Sequence, residues 1–344
     1  MAENTKQLDE LVDLLRTYPS PHNGQPMVLV KRSENQFDIC FETDRGLSAM
    51  PISYLFSFVT VGVFARFVER CAEALGHKAD IQLSLPSELA MANPGLLRCG
   101  VVTFTYDVGS GDSDLRDAIR FRQTSRKKYM SGLTGPEKSS AELLAKKHGI
   151  KVAFLSPAKA HQTIWLNQRA VFDDMFDPAV RKELLHWLRF SAREKHEKKD
   201  GLSYDCMEMS GNMLRFVCRH FRVLRWPLVA PMLKSYYLRT MRDESSVGYA
   251  LAAFTTPADA AKIGECVSDL WLELSRQHKY LHPFGTIVSN KQAHADFVKL
   301  AGIEGENRRE NYVVFIFRAG SSPTPVRSER LNKEHFIRED TNSV

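Results

Sequence analysis

Two short segments carry the side chains best suited to holding a ligand. The first is Ser20-Pro21-His22-Asn23-Gly24-Gln25-Pro26. Asn23 and Gln25 alternate hydrogen-bond donors and acceptors, which suits the edge of a flat heterocycle bearing carbonyls and an N–H. Ser20 and His22 add donors, and Pro19, Pro21 and Pro26 stiffen the backbone, lowering the ordering entropy lost on binding. The second is Arg122-Gln123-Thr124-Ser125-Arg126, followed by Lys127 and Lys128. Two arginines four apart with a hydroxyl between them can converge on one phosphate, because guanidinium forks bind its oxygens bidentately and Thr124 can donate a third bond. Each segment also has a plainer reading. Proline, glycine and asparagine are what turns contain, and a basic run is what a solvated helix face looks like. A heterocycle loop and a phosphate clamp in one chain fit a nucleotide-like ligand. There is no GxGxxG after a strand and no GxxxxGK[ST], which argues against a Rossmann dinucleotide site and a P-loop.

The elements that must position these segments follow from hydrophobic period. Residues 7–16 place apolar side chains at helical spacing, and the helix must stop at Tyr18-Pro19-Ser20-Pro21. Strands are expected at Met27–Lys31 and Phe37–Glu42, joined by a polar turn. A long buried helix follows from about Ser53 to Leu75, closed by Gly76. Strands near Ala79–Ser84 and Gly100–Asp107 complete the first part, and Leu115–Phe121 reads as a helix ending at the arginine cluster. Further on, Val152–Ser156, Val247–Thr255 and Tyr312–Arg318 read as strands, with helices at His161–Phe176 and Ala258–His278. The pairing of a long helix with a following strand occurs twice, at Gly62–Gly76 and Gly264–Tyr280, and a strand ending in glycine occurs at Leu97–Gly109 and Glu310–Gly320. The two halves therefore read as similar α+β units, joined near Gly109–Asp114.

Bulk properties bound the rest. The chain has 344 residues, enough for two domains or one large α/β unit, and a net charge of +6, too modest for a nucleic-acid binder. Six cysteines are scattered with no metal-ligand spacing, so no metal site is expected. No apolar run near the start could act as a signal peptide, and a cytoplasmic location with free thiols is the default expectation. The apolar run Ile52–Phe67 is shorter than the ~20 residues a spanning helix needs. The segment Phe221–Met241 interleaves Arg222, Arg225, Lys234 and Arg239 with Trp226, Leu228, Val229, Tyr236 and Tyr237. Such a mixture suits a membrane surface, but Pro227 and Pro231 break its period, and a helical lid over a site is the favoured reading.

The chain also resembles a known family. Ser20-Pro-His-Asn-Gly-Gln-Pro26 is similar to the S-x-H-N-T-Q-P-W loop of the nitroreductase superfamily, and Arg122-Gln-Thr-Ser-Arg126 with Tyr129 to its R-x-[ST]-x-R phosphate motif. The loop precedes the arginines by about 100 residues in a chain of double length, an order that resembles the Acg-like branch. Asp44-Arg45-Gly46-Leu47, Asp200-Gly-Leu-Ser203, Arg318-Ala-Gly320 and Ser328-Glu-Arg330 resemble further elements of that branch. Met27 stands where the family has tryptophan, Gly24 where it has threonine, and Met50-Pro51 lacks the arginine-bearing continuation.

The resemblance implies a nitroreductase-like fold duplicated in one chain, with antiparallel-rich sheets flanked by long helices. Residues 1–110 would form the first half and 111–344 the second, with a lid insertion at about 179–242. It implies one FMN per chain at a pseudo-dimer interface, in a pseudo-dimeric monomer or weak homodimer. Ser20, His22, Asn23 and Gln25 would contact the ring and ribityl chain, and Arg122, Thr124, Arg126 and Arg330 the phosphate. The expected function is a flavin-dependent oxidoreductase acting on a small organic substrate, with NAD(P)H as a candidate donor; the alternative is a protein that sequesters FMN under a lid. The catalytic residues and the substrate are not specified, and His22 is a conceivable proton donor.

Overall fold

A computed structural model describes residues 2–49, 53–87, 95–232, 235, 243–308 and 310–339. Met50-Pro51 and the positions Lys234, Tyr236, Tyr237 and Arg239 singled out above lie outside the described residues. Helix α1 (Ala2–Leu15) buries Leu11, Val12 and Leu15, and the hairpin β1 (Met27–Lys31) and β2 (Gln36–Glu42) follows. Helix α2 (Ser53–Ala74) then leads through Gly76, whose φ of +79° is the left-handed turn that glycine tolerates best, into β3 (Lys78–Leu83). Strand β4 (Leu96–Thr105) begins four residues earlier than the expected Gly100, because Leu96 to Arg98 continue the ladder with β2 past an irregularity at Cys99.

Helices α3 (Ser113–Phe121) and α4 (Gly135–Lys147) lead to the second sheet. It contains β5 (Lys151–Phe154), β8 (Ser246–Ala252), β9 (Tyr280–Pro283) and β10 (Tyr312–Gly320), all paired antiparallel in the order β5-β8-β10-β9. The first sheet runs β11-β1-β2-β4-β3, with β11 (Ile337–Glu339) parallel to β1. The protein is thus α+β, with one mixed and one antiparallel main sheet. Setting β11 aside, the two sheets have the same strand order. A long helix joins the second strand to the third in each: α2 in the first sheet and α9 (Pro257–Arg276) in the second. Residues 337–339 return to the first sheet, where β11 pairs with β1.

The long helices α2 and α9 pack backbone to backbone. A Cβ on Gly62 would lie 1.9 Å from the Ala261 carbonyl oxygen, and one on Gly264 would lie 2.1 Å from that of Val59. Around this crossing the apolar side chains of both helices join one core that includes Phe58, Phe64, Phe67, Ile263 and Leu270. Beside it, buried Asp269 accepts from Arg66, Arg70 and His148, which hold its carboxyl well below the usual range against the cost of burial.

An insertion separates β5 from β8. Helix α5 (Pro157–Asp174) packs on the second sheet. Beyond it come α6 (Pro178–Trp187), the short parallel pair β6 (Leu188–Arg189) and β7 (Leu202–Ser203), α7 (Ala192–Lys198) and α8 (Gly211–Arg219). These have a small core of their own, formed by Met175, Leu188, Leu214, Cys218 and Leu224. Past β9, helices α10 (Gly285–Ser289) and α11 (Lys291–Ala301) cover the second sheet, and α12 (Lys333–Phe336) precedes β11. Among the described residues no helix is long and apolar enough to cross a membrane, and all six cysteines are unpaired and buried.

Candidate functional site

The loop after α1 is held at both ends by one side chain. Tyr18 is fully buried edge-on against Phe64, and its hydroxyl accepts the N–H of Met27 at 2.8 Å. Between these ends, His22, Asn23 and Gln25 all have positive φ, at 50°, 54° and 53°. Three left-handed non-glycine residues within four positions amount to strain that the surroundings must impose. Ser20 supports the turn by accepting the Gln25 N–H on its Oγ at 3.0 Å.

The amides of the loop are engaged by the chain itself. Asn23 Oδ1 accepts from Arg330 at 2.6 Å, and its Nδ2 donates to the Glu329 carbonyl at 3.1 Å. Gln25 donates to the Lys199 carbonyl at 3.0 Å and accepts the Leu331 N–H at 2.9 Å. The two side chains expected to meet a heterocycle edge instead hold residues 329–331 and the insertion against the loop. Both are almost fully buried, at 8% and 5% exposure.

Arg122 sits just past the end of α3, where its own N–H still caps the helix. Its guanidinium is buried over the Trp271 ring at 5.0 Å and donates to the Thr17 carbonyl at 2.5 Å. Arg330, from the far end of the chain, donates to the same carbonyl oxygen at 3.2 Å. Burial, with repulsion from Arg330 and Arg327, pushes the Arg122 pKa down to about 9. Burial likewise pushes Arg330 down to about 10, with Arg327 and Arg16 adding repulsion. Arg330 is partly exposed at its surface yet hemmed in by protein. Among the described residues no carboxylate forms an ion pair with either guanidinium, and Arg122 Nε is buried without a hydrogen-bond partner. Buried guanidiniums without an ion-pair partner carry a desolvation cost that their contacts among the described residues do not offset.

Arg126 points elsewhere. It donates to the Cys206 carbonyl at 3.4 Å, is held below its usual pKa by burial, and lies close enough to His22 to act on it. His22 is half-buried with an unpartnered Nδ1, and burial together with Arg126 holds its pKa down to about 4. Thr124 makes an isolated bridge to Leu281 of β9. Five of the eight expected site residues thus fall into two groups, Asn23, Arg122 and Arg330 by the Thr17 carbonyl and His22 with Arg126, while Ser20, Gln25 and Thr124 are taken up by other contacts.

Some features of the site lie outside the expected residues. Arg327, three before Arg330, extends the basic group, a spacing readable in the sequence. Arg45 of the Asp44–Leu47 segment donates to the Gly24 carbonyl and to Asp200, and Asp200 also holds buried Arg189. With Gly201 N–H donating to the Asn23 carbonyl, residues 199–201 close over the loop. Arg318, by contrast, is fully buried in an ion pair with Asp243 and also donates to the Lys127 carbonyl, so it braces the chain. On the other flank of the loop, Pro21, Pro26, Arg45, Leu47, Phe56 and Thr60 border a small cleft. No known family model and no curated protein sequence matches this chain.

Proposed function

We propose that this chain is an FMN-binding, nitroreductase-like flavoprotein made of two such halves, holding the flavin phosphate at Arg122 and Arg330. The observation that carries the reading is the pair of guanidiniums sharing the Thr17 carbonyl, neither in an ion pair with a carboxylate among the described residues. A dianionic phosphate supplies the charge and acceptor lone pairs this group lacks. The common strand order of the two sheets and the close α2–α9 crossing support the reading of two related halves. On this proposal Asn23 serves the phosphate by orienting Arg330, Arg126 and Thr124 line the approach from the other half, and His22 with Ser20 faces the ring end.

Bound FMN would supply two-electron redox chemistry. The chain's part would be to position, to exclude water and to manage protons. With a pKa of about 4, His22 is neutral at neutral pH, so its free Nδ1 can accept or relay a proton while the imidazolium acid is scarce. The first function proposed is therefore an oxidoreductase for a small organic substrate, with NAD(P)H as the donor to test. Sequestration of FMN is the second reading, favoured by one observation: residues 199–201 are tied to the loop at Asn23, Gln25 and Arg45. Anaerobic titration of the flavin-loaded protein with NADH and NADPH separates them. Rapid bleaching followed by reoxidation with a quinone or nitroaromatic supports the enzyme, and a flavin that stays oxidised supports storage.

A further inference from the structure

The insertion carries a charge pattern that flavin binding does not use. From Met209 to Arg242 the sequence has six arginines, one lysine and no carboxylate. The whole chain has a net charge of only +6, so the remainder of the protein is slightly acidic. The same stretch holds five of the protein's exposed large apolar side chains: Met213, Phe216, Trp226, Leu228 and Met232. Trp226 is 58% exposed and Leu228 88%.

The winding of α8 explains how both properties reach the surface. Leu214 and Cys218, four apart, face the small core with Leu224. Met213 and Phe216, three apart, therefore project outward, and the His220 ring lies 4.8 Å from that of Phe216. Arg215 and Arg219, again four apart, flank that apolar stripe. Arg215 reaches Glu194 at 3.3 Å and Arg225 reaches Asp173 at 3.4 Å. Arg219 and Arg222 are exposed with no carboxylate partner among the described residues. Pro227 then interrupts regular structure between the exposed Trp226 and Leu228.

We propose that this face of the insertion docks on the surface of a bilayer rich in anionic lipid. Arginines around a protruding tryptophan and leucine meet the two demands of that surface, charge from the headgroups and apolar burial at the acyl boundary. No described helix is fit to cross a membrane, so the contact is peripheral. A second copy of the same face would bring like charges together, which disfavours self-association. The proposal stands independently of the flavin reading.

The test is flotation of the full chain with phosphatidylcholine vesicles, with and without phosphatidylserine, at low and high salt. Binding is expected to the anionic vesicles alone and to weaken with salt. Arg219→Gln with Arg222→Gln should cut it on the order of tenfold or more at low salt. Trp226→Ser with Leu228→Ser should cut it by a similar factor. Leu228→Ser alone, at the most exposed of these side chains, should weaken it several-fold with the melting temperature unchanged. The proposal is overturned by wild-type protein that stays with the aqueous layer, or by flotation undiminished in the variants. It is equally overturned by a concentration-dependent dimer that the variants disperse while no vesicle binding occurs.

Discussion

Replacing Arg330 with glutamine should separate recognition of the phosphate from recognition of the flavin ring. The wild-type guanidinium donates to Asn23 Oδ1 at 2.6 Å and to the Thr17 carbonyl at 3.2 Å, leaving further N–H groups for a ligand. A charge-assisted bond to phosphate contributes about 2–3 kcal/mol. Its loss should weaken FMN binding roughly 30- to 150-fold, at ~1.4 kcal/mol per factor of ten. Riboflavin, which has no phosphate, should change by no more than about threefold, since only the ring end then holds it. Losing the two internal bonds is offset by relief of the repulsion that Arg330 exerts on Arg122, so the ligand-free protein should melt close to wild type. Both guanidiniums have folded pKa values, about 9 and about 10, below their ordinary value of 12.5. Their charged forms therefore destabilise the fold, fully so below about pH 9. That penalty eases as pH rises from 9 toward 12.5, because the folded chain then releases protons that the unfolded chain keeps. Stabilisation by FMN should accordingly hold between pH 7 and about 9 and shrink above it. Fluorescence-quenching titrations with both flavins measure these affinities. Equal losses for FMN and riboflavin, or unchanged FMN affinity in folded R330Q, would refute the phosphate assignment.

Other expectations follow from the same geometry. Asp200→Asn removes the carboxylate shared by Arg45 and Arg189, and breaking a buried pair costs about 3–5 kcal/mol. FMN release, followed by stopped-flow fluorescence, should accelerate on the order of tenfold, and an unchanged release rate would show that residues 199–201 do not retain the ligand. Gly264→Ala puts a methyl 2.1 Å from the Val59 carbonyl oxygen, so the helices must part. A loss of about 3 kcal/mol or more is expected in urea unfolding, and a variant of wild-type stability would disprove the close α2–α9 crossing. Asp174 is buried beside Asp173 and Asp177, and burial first, then those charges, raises its pKa to about 6. The fold gains protons there relative to the unfolded chain, so this group lowers stability as pH rises from about 4 to 6. Asp174→Asn should therefore raise stability at pH 8 by on the order of 2 kcal/mol and change it little at pH 4. Thermal melts at the two pH values decide it.

Much of the scaffold was legible because its periods are strong. Strand β1 falls at Met27–Lys31 as expected, and α2 and α9 differ from expectation by a few residues at their ends. Helix α4 is not among the expected elements although its capping box, Thr134 with Glu137, is written in the sequence. Strand β11 could not be read, since three residues pair with β1 from some 300 positions away and carry no period of their own. At the site, the residue types single out the segments but not the partners that their side chains meet. Asn23 and Gln25 have the groups a heterocycle edge needs, yet residues 199 and 329–331 reach those groups first. Arg122 and Arg126, four apart, were expected to converge on one phosphate. The chain leaves the helix at Arg122, so helical spacing no longer governs where Arg126 points. Arg330 comes beside Arg122 only through the return of the C-terminal segment to the first sheet, a long-range pairing that no local pattern encodes.

The central claim is that the carboxylate-free arginine group holds a flavin phosphate, and the flavin content of the purified protein tests it most directly. Heat-released ligand separated by chromatography should be FMN, about one per chain after loading, with binding lost in Arg122→Gln and Arg330→Gln. A colourless protein that melts cooperatively and takes up neither FMN nor riboflavin would contradict the account.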